Sequence, residues 1–259
     1  MFWGLSLKAQ IVLTPSESKR LIAKAVAQME SVKKALKKGI VVICRGSTNA
    51  FIVEEITRQQ REKGKFTAGY IGPRGLSVNP KLPRETILID GKLQNGISIV
   101  DVMKDLRPGD VIIKGASAIG PDRIPGVLCG REQFDATGGT VGLFQVAAMV
   151  RGIEVIIPVG LEKSIPISVL VGSSEISSSK IDYSTGMPCG LVPIFGTVIT
   201  EIEAIKILTS GEAIPIAAGG IGGGEGSIVL LLKGIDSEVK QAIKIIEKIK
   251  GEPPIPEPT

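Results

Sequence analysis

A lysine, an arginine and a set of hydroxyls stand where short β-branched runs end in this chain. The run Ile40-Val41-Val42-Ile43 leads into Cys44-Arg45-Gly46-Ser47-Thr48-Asn49, and Ala50 to Lys65 then reads as helix. A buried strand, a glycine with neighbouring hydroxyls and then a helix is the layout that aims helix N-terminal amides at an anion. It predicts a phosphate or carboxylate held by Arg45, Gly46, Ser47, Thr48 and Asn49. The chain contains no histidine, so imidazole is excluded as base, acid or metal ligand.

Three further glycine turns lie beside predicted elements. Lys114-Gly115-Ala116-Ser117-Ala118-Ile119-Gly120-Pro121-Asp122 follows a strand and brings the Lys114 ammonium to its end, where it can meet an anion as a point charge or stand as an exposed strand-end lysine. Gly115 and Ser117 accompany it. Thr137-Gly138-Gly139-Thr140-Val141-Gly142 runs into a helix, with Gly138, Gly139 and Thr140 offering amides and a hydroxyl. The last turn holds Gly219, Gly220, Gly222, Gly223, Gly224 and Gly226. So many glycines forfeit chain entropy and let a backbone approach a ligand closely. Its lone acid, Glu225, reads equally as an acid/base or nucleophile and as a solvated loop carboxylate. Glu225 and Lys114 are the candidate catalytic residues. Any one of these loops alone reads as a turn or a cap; their joint occurrence favours a ligand.

The elements that must position them are legible in outline. Thr14-Pro15-Ser16-Glu17 forms a capping box opening a helix predicted over 15–38, which Gly39 stops. Strands are predicted at Ile40 to Cys44, Thr67 to Ile71, Thr86 to Ile89, Val111 to Lys114, Val155 to Val159, Thr197 to Ile199, Ile214 to Ala217 and Ile228 to Leu232. Helices are predicted at Ile97 to Leu106, Val141 to Arg151, Glu201 to Leu208 and Ser237 to Lys250. Helices alternating with near-continuous Val/Ile runs predict a single α/β domain over 1–259, three-layer and Rossmann-like, with a mostly parallel sheet. Such sheets bind ligands beyond the carboxyl ends of their strands. The segments 72–84 and 172–187 look irregular, and the Pro-rich tail 251–259 is expected to be extended, frayed or draped on a partner.

Composition bounds the function classes. Of the 259 residues 43% are apolar, enough for a core without disulfides. The three cysteines Cys44, Cys129 and Cys189 form no C-x-x-C pair. Neither zinc nor a disulfide framework is expected, nor any cofactor. The net charge of +5 is spread among acids, and six Phe, two Tyr and one Trp offer little stacking surface; nucleic acid is not an expected partner. No stretch reaches the roughly 20 apolar residues of a membrane span and no signal peptide is read, so a soluble, cytoplasmic protein is expected. The absence of His and the abundance of Ile, Lys and Glu lean toward a thermophilic source.

Gly46-Ser47-Thr48 after a first strand, with a later strand running into Lys114-Gly-Ala-Ser-Ala-Ile-Gly-Pro-Asp122, resembles the superfamily of ribose-5-phosphate isomerase, glucosamine-6-phosphate deaminase and family I CoA-transferases. That superfamily also includes sugar-responsive repressor domains and initiation-factor-2B-like proteins. The resemblance runs from Gly39 through Ile157 and more loosely to Gly196-Thr-Val-Ile-Thr-Glu201. It implies a phosphorylated small-molecule ligand (sugar phosphate, nucleotide or CoA ester) and a homo-oligomer. The isomerases carry an Asp-Gly-Ala-Asp-Glu segment where this chain has Lys114-Gly115-Ala116-Ser117-Ala118, so both aspartates are missing. Isomerase-like chemistry, CoA transfer through Glu225 or Glu201, and a non-catalytic sensing or assembly subunit remain as alternatives.

Overall fold

The computed structural model describes residues 6–130, 139–177 and 181–258. The chain opens with β1 (Ser6–Leu13), α1 (Pro15–Gln28), α2 (Glu30–Lys37), β2 (Ile40–Ile43) and α3 (Ser47–Thr57). A hairpin of β3 (Gly69–Gly72) and β4 (Gly75–Val78) precedes β5 (Thr86–Ile89), β6 (Lys92–Gln94), the single turn α4 (Ile99–Val102) and β7 (Val111–Ile113). Next come β8 (Ala118–Ile119), β9 (Pro125–Gly130), α5 (Gly139–Arg151), β10 (Glu154–Pro158), α6 (Val169–Glu175), β11 (Cys189–Pro193) and β12 (Thr197–Ile199). The chain closes with α7 (Glu201–Thr209), β13 (Glu212–Gly219), β14 (Ser227–Ile235) and α8 (Asp236–Ile249).

The protein is α/β, built on a mixed six-stranded sheet in the order β12-β10-β7-β2-β5-β6. β2, β7, β10 and β12 run parallel, and β5 and β6 join antiparallel at the β2 side. Asp90-Gly91 makes the reversal between β5 and β6 with positive φ at both residues (49° and 73°), the backbone that an Asp-Gly hairpin turn supplies. Strand periodicity sends alternate side chains to opposite faces. Val41, Ile43, Val111, Ile113 and Ile156 therefore enter one core with α1, α3 and α7. Val42, Ile112, Val155 and Ile157 enter another with Phe144 and Ala148 of α5. Both faces are buried, which is why these strands read as unbroken Val/Ile runs.

Several expected elements differ. The stretch Ser6–Leu13 is a strand, paired antiparallel with β14 from Ser6↔Ile235 to Leu13↔Ile228. β13 and β14, expected in the parallel sheet, instead form a separate antiparallel sheet with β1. The helix expected over 15–38 breaks at Met29, whose ψ of 136° is extended; its apolar stripe continues across the break, so periodicity does not reveal it. The Thr14–Glu17 capping box is present, with Thr14 N–H donating to Glu17 Oε2 at 2.9 Å. The helix expected over 97–106 is the one turn of α4. The segment 72–84 contains β4, and Leu76 N–H donates to Thr185 C=O at 3.0 Å, joining it to the 172–187 segment. The C-terminal tail, to Pro258, lies on the chain's own surface: a Cβ at Gly64 would stand 2.3 Å from the Pro256 carbonyl oxygen. No helix among the described residues is long and apolar enough to cross a membrane.

One ion cluster ties α1, α3 and this tail together. Arg20 pairs with Glu54, with Glu55 at 3.1 Å and with Glu252 at 2.9 Å, while its guanidinium lies 4.7 Å from the Phe51 ring centroid. Burial alone would push Arg20 down, but its bonds to Glu252 and Glu54 outweigh that and hold it above the ordinary arginine value. Removing one member of a buried pair leaves the other uncompensated. Arg20→Met is therefore expected to lower unfolding free energy by about 3 kcal/mol in urea titration. Lys33→Ala, which loses only the exposed pair to Glu30, is expected to change it by less than about 0.5 kcal/mol.

Candidate functional site

Parallel strands end at one edge of the sheet, and there the loops after β2, β7 and β10 enclose a cleft of ≈ 1160 Å³. This is slightly above the usual range of small-molecule sites. Its floor includes Gly46, Ser47 and Thr48 from the turn after β2, and Lys114 to Ser117 from the turn after β7. Glu162 and Lys163, from the turn after β10, complete it. The β3–β4 hairpin and residues Ile255 to Pro258 of the tail form an outer wall.

Asn49 assembles the floor. It is fully buried, and its Nδ2 donates to Cys44 C=O at 2.7 Å and to Ile113 C=O at 3.2 Å. One carboxamide thus joins the ends of β2 and β7 to the first turn of α3. That turn starts at Gly46, which has no side chain to cap it, and the first N–H groups of a helix have no intrahelical acceptor. Thr48 is 2% exposed, and its Oγ1 is buried without a hydrogen-bond partner while the residue lines the cleft. An orphaned buried hydroxyl costs free energy that a bound acceptor restores.

The other expected site residues divide into three groups. The Lys114 ammonium, half-buried in the cleft, has no hydrogen bond or ion pair among the described residues, while the backbone N–H of Lys114 donates to Ile156 C=O at 2.9 Å. Gly115, Ser117, Gly139 and Thr140 also line the cleft, but two of their hydroxyls are already engaged. Ser117 Oγ accepts from Leu128 N–H at 3.1 Å, and Thr140 Oγ1 accepts from Arg45 at 3.0 Å. Arg45 is also paired with Glu85 at 2.9 Å, so it braces the start of α5 and its charge is already compensated. Gly138 lies outside the described residues.

The glycine-rich loop is the hairpin turn between β13 and β14 and does not lead into a helix. Gly219, Gly220, Gly222, Gly223 and Gly224 are not on the cleft wall; Glu225 and Gly226 are. Gly220, at φ 126°, would place a Cβ 1.8 Å from the Gly224 carbonyl oxygen, so the turn itself demands glycine. Glu225 is exposed, and its Oε2 accepts from Gly223 N–H at 2.9 Å.

A group of charges on the β10 side of the cleft, Lys19, Glu162 and Lys163 in its wall and Glu201 buried beside them, has no local sequence signature. Lys19 of α1 pairs with Glu162 and donates to Pro15 C=O at 3.2 Å. Lys163 donates to Ala116 C=O at 2.8 Å. Burial pushes Lys163 down to about 8, with the like charges of Lys19 and Lys114 adding and Glu162 and Glu201 opposing. Glu201, named above as a possible nucleophile, is 0% exposed and is not on the cleft wall. It opens α7 and accepts from Leu161 N–H at 2.9 Å, fixing the turn that carries Lys163. Cys44 is also unsuited to attack, since burial pushes its thiol up to about 12.

Burial raises the Glu201 carboxyl from 4.5 to about 7 against the lowering effect of its hydrogen bonds. Between those values the unfolded chain has released a proton that the fold retains, so this group makes stability fall as pH rises and level off above about 7. Glu201→Gln removes that dependence. Urea melts from pH 4.5 to 7 should show the variant gaining on the wild type as pH rises, and a constant difference would contradict this reading. Compared with family models, curated proteins and solved structures, the chain matches none, and its site is read from its own geometry.

Proposed function

We propose that this chain binds a phosphorylated small molecule, a sugar phosphate, nucleotide or CoA ester, with its phosphate at the N-terminus of α3. The observation that carries the reading is Thr48, a residue of the cleft wall beside an uncapped helix start, whose buried hydroxyl has no hydrogen-bond partner among the described residues. Helix N-terminal amides favour an anion there, and Lys114 adds a cation with no competing carboxylate among the described residues. A cleft of ≈ 1160 Å³ leaves room for the remainder of such a ligand. The burial of both sheet faces supports a three-layer, Rossmann-like arrangement. The Gly46-Ser47-Thr48 turn keeps the resemblance to the sugar-phosphate isomerase and CoA-transferase superfamily as part of the proposal.

The isomerase aspartates are replaced by Lys114 and Ser117, and that replacement favours the second reading, a ligand-sensing subunit that retains the pocket without proton-shuttling acids. CoA transfer through Glu201 is disfavoured by the burial of that carboxylate outside the cleft.

Inorganic phosphate is expected to raise the thermal midpoint of the protein in a concentration-dependent way. Thr48→Val keeps the shape of the side chain and removes the orphaned oxygen. The variant should fold with undiminished stability while binding phosphate about tenfold more weakly by calorimetry, the effect of losing one hydrogen bond to a charged group. Equal affinity in the two proteins would reject the site.

A further inference from the structure

We propose that Lys163 is a nucleophile: its amine condenses with an aldehyde or ketone carried by the phosphorylated ligand and forms an imine in the cleft. The inference rests on the phosphate site of the preceding section and names the chemistry of what the phosphate carries. Lys163 lines the cleft, and its Nζ donates to the Ala116 carbonyl at 2.8 Å, which holds it at the end of β7 beside the Lys114 turn.

Among the described residues that amine has no ion pair. On its own turn Glu162 is taken by Lys19 of α1, and from α7 Glu201 is taken by the Leu161 amide. Lys19 and Lys114 face it as like charges. A lysine that is desolvated and set next to other cations loses its proton more readily and becomes nucleophilic. Here that effect brings it to about 8, so a usable fraction is neutral near physiological pH. A neutral amine donates one N–H to Ala116 and keeps its lone pair for attack. The other groups are poorer candidates: the Cys44 thiol is held protonated, Glu225 is exposed on a hairpin, and the chain has no histidine.

The step balances without an oxidant or reductant. The Lys163 nitrogen forms a bond to the carbonyl carbon as the C–O π bond opens, and a proton passes from nitrogen to the oxygen. The remaining nitrogen proton then passes to the carbinolamine hydroxyl, which leaves as water as the nitrogen lone pair forms the C=N bond, so carbonyl and amine give imine and water. The imine draws electrons from the neighbouring carbon and assists cleavage of a C–H or C–C bond there, a role a non-catalytic sensor would not need.

Pyridoxal 5′-phosphate, an aldehyde bearing a phosphate, is the probe. The full chain is incubated with it, reduced with borohydride and mapped by peptide mass spectrometry. The expected result is one dominant adduct, on Lys163, that forms with a pH midpoint near 8, is suppressed by inorganic phosphate and is absent in Lys163→Arg. Labelling of Lys114, or labelling spread over surface lysines, would overturn the assignment even if phosphate still stabilises the protein in thermal melts. A Lys163 adduct that phosphate does not suppress, in a protein that phosphate does not stabilise, would instead overturn the anion site and with it the phosphorylated carbonyl ligand.

Discussion

The two hydrogen bonds from the Asn49 carboxamide to Cys44 C=O and Ile113 C=O hold the site together. They join three separate stretches of chain at one point, the ends of two parallel strands and the first turn of α3. A backbone hydrogen bond from Cys44 N–H to the same Ile113 carbonyl, at 2.9 Å, reinforces the joint. The Nδ2 group is satisfied twice, which fixes where α3 begins, while the buried Oδ1 of the same carboxamide has no hydrogen-bond partner among the described residues. Thr48 is thereby held in the cleft wall, and Lys114 emerges one residue beyond the strand that Asn49 grips.

Charge is distributed unevenly around that joint. Arg20 is surrounded by Glu54, Glu55 and Glu252, Arg45 by Glu85, and Lys19 by Glu162. These pairs fasten helices, the tail and the cleft rim, and they are compensated. Among the described residues Lys114 and Lys163 are not paired with carboxylates, although both stand in the cleft. Leaving cations uncompensated at a partly buried surface is costly for folding alone, and the cost makes physical sense where a ligand brings the opposite charge. The cleft therefore holds two cations without carboxylate partners among the described residues, next to pairs that are compensated.

The strand–turn–helix unit from Ile40 to Thr57 was legible in the sequence because everything that forms it is local: a β-branched run, a glycine, and a helical stripe. The ends of β7, β10 and β12 were legible for the same reason. What escaped depends on partners far along the chain. The strand Ser6–Leu13 pairs with residues 228–235, so nothing nearby announces it. The glycine-rich turn looked like a phosphate loop because composition does not say whether a helix or a second hairpin strand follows. Arg45 looked like a ligand cation until Glu85, across the β2–β5 pair, took its charge. Lys163 carried no local signature, since its environment is made by Lys19, Lys114 and Glu201 from three distant elements.

The central claim is that an anion completes the hydrogen bonding of the α3 N-terminus. A crystal structure of the wild-type chain grown in inorganic phosphate addresses it most directly. The account predicts tetrahedral density within hydrogen-bonding distance of Thr48 Oγ1 and the first-turn amides of α3, with Lys114 turned toward it. A cleft in which the Thr48 hydroxyl bonds only water or protein, with phosphate bound elsewhere or nowhere, would contradict it.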